Sequence, residues 1–160
     1  MPYRQRRPER SPRIARGGLR TGRALPRSEG QASSVSTILV PTDTGGPISV
    51  LDFKQNSATV VTANIPGYFF LSGGLDPSGT GAPYSTFFVE SDGSFSITLL
   101  KEPISVTRRE AEQELMRQLG ASKNEMCALR YWVGVYKETN PIYANRNLGF
   151  SFCPGATELP

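Results

Sequence analysis

The chain holds two cysteines, Cys127 and Cys153, and no histidine. A serine or thiol nucleophile would have lysine as its only plausible base, and nothing in the sequence sets a lysine beside one. The missing imidazole also removes the Ser-His-Asp arrangements, the commonest proton carrier near neutrality and most zinc sites. Carboxylates occur as Asp43, Asp52, Asp76, Glu90, Asp92 and Glu102, scattered among turns and strand ends, and no spacing puts two of them across a cleft. Glu110, Glu112 and Glu114 share one helical segment, where they are expected mainly to solvate its outer face. The expectation is a chain that is not an enzyme, with no catalytic residue, no cofactor and no metal site.

The two thiols are spaced unlike a CxxC redox pair. Cys127 falls at the close of a predicted short helix and Cys153 at the end of a predicted strand. A disulfide between them would staple helix to sheet. It would close a loop of roughly 27 residues, and the loop-entropy relation assigns it about 3.5 kcal/mol. The competing reading is two buried thiols that act as small hydrophobes, as a reducing cytosol would enforce. Their places at element ends favour the bridge.

The elements that carry these groups follow from pattern and punctuation. Ile38–Val40 reads as a first short strand, stopped by Pro41. Ile48–Phe53 and Ala58–Ala63 read as a hairpin across the polar Lys54–Ser57, and Tyr68–Ser72 as an apolar strand buried on both faces or at a sheet centre. The segment 73–83 contains four glycines and two prolines and must be a loop. It lacks the Lys-Ser/Thr and the following helix that a phosphate-binding loop needs, so no nucleotide site is expected there. Ser85–Ser91 and Ser94–Leu100 are strands joined at Asp92-Gly93, a pair suited to a two-residue type I′ turn. That turn would set Ser91 opposite Ser94 and Phe88 opposite Ile97, with Phe88, Phe95, Ile97 and Leu99 on one core face.

After Pro103 the apolar period changes to about 3.6. Thr107 and Glu110 have capping-box spacing, and Ala111, Leu115, Met116 and Leu119 form one stripe, which predicts a helix over 108–119 stopped by Gly120. Glu112, Glu114, Arg117 and Gln118 are placed mainly outside. Ser122 and Glu125 repeat the capping box and open a short helix through Ala128. This second helix is too short and too poor in basic residues for a DNA-recognition helix. Leu129–Lys137 is apolar on both faces and is expected inside the sheet. Trp132 could stack a base or a sugar, although a tryptophan in such a strand is more commonly core. A turn-rich loop at 139–147 offers Tyr143 and Arg146 as surface contacts, and Leu148–Cys153 makes a last strand.

Charge divides the chain. Residues 1–30 contain nine arginines (Arg4, Arg6, Arg7, Arg10, Arg13, Arg16, Arg20, Arg23 and Arg27) against Glu9 and Glu29, a net +7, whereas 31–160 carry −3. The sequence pI of about 9.3 therefore belongs to the leader and not to the body. With four prolines and few apolar residues, 1–34 is expected to be a disordered arm and linker ahead of a single domain at 35–160. Such an arm can neutralise nucleic-acid phosphates. Its prolines spoil an amphipathic transit helix, and no apolar segment follows Arg6-Arg7 as an export signal requires. A leader without specific function, arising from too early a start, competes with these readings. No apolar run is long enough for a membrane span.

From Glu110 to Ala156 the chain reads EAEQELMRQLG, then SKNEMC, a strand, a Tyr-Ala-Asn-Arg-Asn loop and LGFSFCPGA. This stretch, under a third of the chain, resembles the C-terminal part of small uncharacterised proteins of uncultured bacteria, some of them tethered to the membrane at the N-terminus. The resemblance implies that Cys127 and Cys153 occupy matching cysteine positions and that the domain is exported and disulfide-bonded. It implies no catalytic residue, cofactor or substrate. The arginine-rich leader is a departure, standing where those proteins have an apolar anchor.

The expected architecture is α+β: an antiparallel sheet with one amphipathic helix and a short second helix packed on it, behind a disordered basic arm. The expected role is an extracytoplasmic interaction or structural module, with an unidentified protein partner favoured. The alternative is a nucleic-acid-associated or virion-type protein whose arm binds RNA or DNA, with a cytoplasmic location if the thiols are free.

Overall fold

A computed structural model describes residues 35–61, 64–73 and 81–160, so the arginine-rich leader, its expected disorder and Asp76 lie outside the described residues. The fold is α+β.

The hairpin of β5 (Tyr84–Val89) and β6 (Ser94–Leu99) forms its centre. The predicted face is correct, and Phe88, Phe95, Ile97 and Leu99 are all buried on one side. The register is displaced by two residues from the expected one: Val89 faces Ser94, Phe88 faces Phe95 and Thr86 faces Ile97. The loop is therefore four residues long. A type I′ turn needs positive φ at both central residues, and here only Gly93 adopts it (φ 67°). Asp92 instead accepts from the Ser94 amide and hydroxyl, while the Gly93 N–H donates to the Val89 carbonyl. A shift of two leaves every side chain on its original face.

β4 (Tyr68–Ser72) pairs with β5, and β3 (Val60–Val61) pairs with β4 at the sheet edge. The expected hairpin of 48–53 with 58–63 does not form. β2 (Ile48–Leu51) pairs instead with β1 (Thr37–Val40) in a separate two-stranded sheet. Asp52 then caps a 3₁₀ turn, Phe53–Gln55, by accepting from the Lys54 N–H. The turn drives Phe53 into the core, edge-on to Phe88 and Phe95 at ring separations of 5.1 and 5.6 Å. Burying that ring outweighs continuing the strand, since a buried aromatic removes some 150–250 Å² from water.

The long helix α1 (Ile104–Leu119) begins four residues before its predicted start. Glu102 Oε2 accepts from the Ile104 N–H and Ile104 itself is buried. Thr107 thus lies in the first turn, donating to the Lys101 carbonyl, and forms no capping box with Glu110. Gly120 ends the helix in the left-handed conformation, as expected. The second capping box is present in full: Ser122 and Glu125 open α2 (Lys123–Ala128) with reciprocal bonds.

The chain next enters β7 (Tyr131–Val135), which pairs with β6 in parallel. The five-stranded sheet has the order β3-β4-β5-β6-β7, antiparallel except for this last pair. β7 is therefore an edge strand and not an interior one. Its apolar character on two faces has another cause: Val133 and Val135 pack into the core, whereas Trp132 points to the opposite side. Leu148–Cys153 is likewise no strand. Leu148 donates to the Val133 carbonyl, and the side chain of the preceding Asn147 accepts from the Val133 N–H and donates to the Tyr131 carbonyl. An amide side chain thus substitutes for a neighbouring strand along the β7 edge.

Candidate interaction face and C-terminal clasp

The helices and the 3₁₀ turn cover one face of the five-stranded sheet. On the other, register places Phe70, Phe87, Ser96 and Trp132 in one row across β4 to β7, with Ser85, Thr98 and Gly134 in the next. The β4–β5 half of this face is closed by its own aromatic rings: Phe70 and Tyr68 each lie within 6 Å of Phe87, and Phe70 is buried. On the β6–β7 half Ser96 and Thr98 are half-buried and Gly134 is buried, as is Ser85 opposite Thr98. Trp132 is 47% exposed, so the expectation of a core tryptophan is overturned.

Its ring lies along the strand. A Cβ placed on Gly134 would stand 2.7 Å from Trp132 Nε1 and 3.2 Å from Cδ1, so the indole occupies the space a side chain at position 134 would need. The N–H edge of the indole is thus the part nearest Gly134. Directly across the ladder are Ser96, opposite Trp132, and Thr98, opposite Gly134.

The inner side of α1 builds a second unit. Arg108 and Glu112 are buried at 6% and 3% exposure, one turn apart in the stripe that also buries Ala111 and Leu115. Glu112 was expected outside, as was Gln118, which is also buried and donates to the Leu71 carbonyl. Glu112 accepts from the backbone N–H and the hydroxyl of Ser151. Arg108 Nη1 donates to the carbonyls of Thr157 (2.8 Å) and Leu148 (3.4 Å), and its Nε lies 3.8 Å from Glu112. Burial lowers the proton affinity of Arg108, and the Glu112 charge opposes that shift. The pair grips the segment 148–157, which the helical period alone does not reveal because the grip depends on where a distant loop returns.

Cys127 of α2 and Cys153 of the same segment form a disulfide, with Cα atoms 5.5 Å apart. The bridge, Arg108 and Glu112 together hold the C-terminal segment against both helices. Neither sulfur is then available as a thiolate nucleophile.

The other candidates separate. Asp43 pairs with Arg130, whose guanidinium also bonds the Asp92 carbonyl. Glu90 pairs with Lys54, and Glu102 accepts from Asn140. Tyr143 is half-buried against the core, and Arg146 is exposed. The carboxylates are thus engaged in separate structural bonds. A small concavity of about 140 Å³ beside Glu112, Met116 and Ser151 is well below the usual size of a small-molecule site. Among the described residues no group of three His, Cys, Asp or Glu could hold a metal, and no helix is long and apolar enough to cross a membrane.

A scan against protein-family models, a search of curated proteins and a search of solved structures each find no match.

Proposed function

We propose that the body of the chain is a non-catalytic interaction module, acting outside the cytoplasm in its disulfide-bonded form and contacting its partner through the sheet face around Trp132. The half-exposed Trp132 on an edge strand, its indole taking the space beside Gly134, carries this reading. A large aromatic ring left half in water on an ordered sheet is a feature that binding surfaces use. The absence of histidine, the joining of both cysteines and the structural engagement of the carboxylates support a non-catalytic role. The bridge supports an oxidising compartment.

Two measurements test this. A photo-crosslinking side chain at Thr98 in the native setting should capture a partner far more efficiently than one at the exposed Glu158. Equal yields at the two positions would remove the face from consideration. Thiol trapping of the native protein should leave both cysteines unlabelled, and labelling of both would overturn the compartment.

The arginine content of residues 1–30 favours a second reading, in which the leader binds RNA or DNA. Deleting 1–30 should then abolish retention on nucleic acid, and binding that survives the deletion would end that account.

A further inference from the structure

We infer that the Cys127–Cys153 bridge is a redox latch: its reduction frees the tip of the C-terminal segment, residues 151–157, from the two helices and opens a charged cleft over Arg108 and Glu112, while the sheet stays folded. The inference concerns α1, α2 and this segment and does not depend on the Trp132 face.

The segment divides at Phe150. Leu148 and Phe150 are fully buried, Phe150 lies against Tyr131 at a ring separation of 4.1 Å, and the Leu148 N–H is bonded to Val133 of β7. This base belongs to the core. Beyond it, among residues 151–158, Cys153 is the only buried residue; Ser151, Pro154, Gly155 and Glu158 are exposed, and Phe152, Ala156 and Thr157 are half-buried. The Cys153 and Ala156 amides bond back to Phe150 and Cys153, which folds the tip on its own base and ties it to neither helix.

Apart from the bridge, the ties from tip to helices are polar. Glu112 accepts from the Ser151 N–H and hydroxyl, Arg108 donates to the Thr157 carbonyl, and Lys123 Nζ lies 5.5 Å from the Phe152 ring. Water can replace such bonds once a loop lifts, so each contributes little net holding force. Segments with few buried apolar contacts are the ones that open locally ahead of the whole fold. The bridge is therefore the one tie at the tip that solvent cannot exchange, and it joins the tip's only buried residue to α2.

The tip also forms a wall. Glu112, Met116 and Lys123 line the concavity of about 140 Å³ from the helices, and Ser151 and Phe152 close it from the segment. Lifting the tip withdraws Ser151 from Glu112 and Thr157 from Arg108, and the two buried charged groups then face the widened cleft. The opening step balances with a dithiol reductant. Cys127 is half-buried and Cys153 buried, so the reductant's thiolate reaches Cys127 Sγ first. The S–S bond breaks, Cys153 departs as a thiolate and takes a proton, and the second thiol of the reductant displaces Cys127 as it closes its own disulfide.

Amide exchange of the full chain, followed residue by residue with and without dithiothreitol, tests the latch. On reduction the Ser151 and Thr157 amides should lose about tenfold or more in protection, whereas the Leu148 amide and those of β5 and β6 keep theirs. Chymotrypsin should cut after Phe152 in the reduced chain and spare that bond in the oxidised one. The fluorescence of Trp132, the chain's single tryptophan, should be unchanged and so report an intact sheet. The Cys127→Ala, Cys153→Ala double variant should be open without reductant and indifferent to it. Unchanged protection at Ser151 and Thr157 once both thiols label overturns the latch, as does a double variant that keeps that protection. Loss spread equally over β5 and β6 overturns it too, because the bridge would then support the whole fold and gate no part of it.

Discussion

Glu112 and Ser151, 39 residues apart in sequence, are joined twice: one carboxylate takes both the backbone N–H and the hydroxyl of the serine. The carboxylate is buried, so its charge is balanced by these two donors and by the neighbouring Arg108. Removing one member of a buried charged pair leaves the other unpaired, which costs about 3–5 kcal/mol. Glu112→Ala should therefore lower the urea midpoint strongly, and Glu112→Gln, which keeps an acceptor, should cost less. Equal and small losses would show that the clasp contributes little to stability.

The Cys127–Cys153 bridge closes a loop with a sequence separation of 26. Loop entropy alone assigns it about 3.5 kcal/mol. Urea unfolding of the chain with and without reductant should differ by that order, and the Cys127→Ala, Cys153→Ala double variant should match the reduced chain and be indifferent to reductant. A reduced protein as stable as the oxidised one would mean that Arg108 and Glu112 hold the segment unaided.

Gly120 ends α1 at φ 62°, and a Cβ there would stand 2.9 Å from Leu51 Cγ. Gly120→Ala pays twice, in left-handed strain of about 1–2 kcal/mol and in displacement of Leu51. Gly155 also has positive φ, but no atom stands near its missing Cβ, so Gly155→Ala should be the milder change. Thermal melts of the two variants test the ordering.

Acid should destabilise the fold through two identified carboxylates. A hydrogen bond from Arg117, followed by one from Gln118, holds Glu114 below the usual carboxylate range, and the Ser122 hydroxyl and backbone N–H do the same for Glu125. A carboxyl depressed in the folded state contributes stability above its unfolded pKa, about 4.3, and loses it as pH falls through the folded value. Urea midpoints should therefore fall on acidification below about pH 4.3, and Glu125→Gln should flatten that fall. An unchanged slope in the variant would exclude the capping box as a source.

Local signals in the sequence located most of the elements. The Ser122–Glu125 box, the Gly120 stop and the alternating Phe95, Ile97 and Leu99 depend on neighbours within a few residues, and all were legible. The failures share a different cause. Phe53 left its strand pattern because the ring had a pocket among Phe88 and Phe95, and Glu112 entered the interior because Ser151 returned to meet it. Trp132 looked like core because β7 carries apolar groups on two faces, and only the sheet order shows that its outer face is uncovered. The Cys127–Cys153 pairing was legible because a chain with two thiols allows one intramolecular bridge.

The Asn147 amide has a consequence for behaviour at high concentration. An edge strand with free N–H and C=O groups is a template on which a second chain can add a strand and begin polymerisation. On β7 the Tyr131 carbonyl and both backbone groups of Val133 are already taken by Asn147 and Leu148. The opposite edge, β3, is only two residues long. The sheet is thus blunted at one side and short at the other, and the Asn147 side chain and the Leu148 N–H between them occupy the middle of its longer edge against strand-by-strand growth.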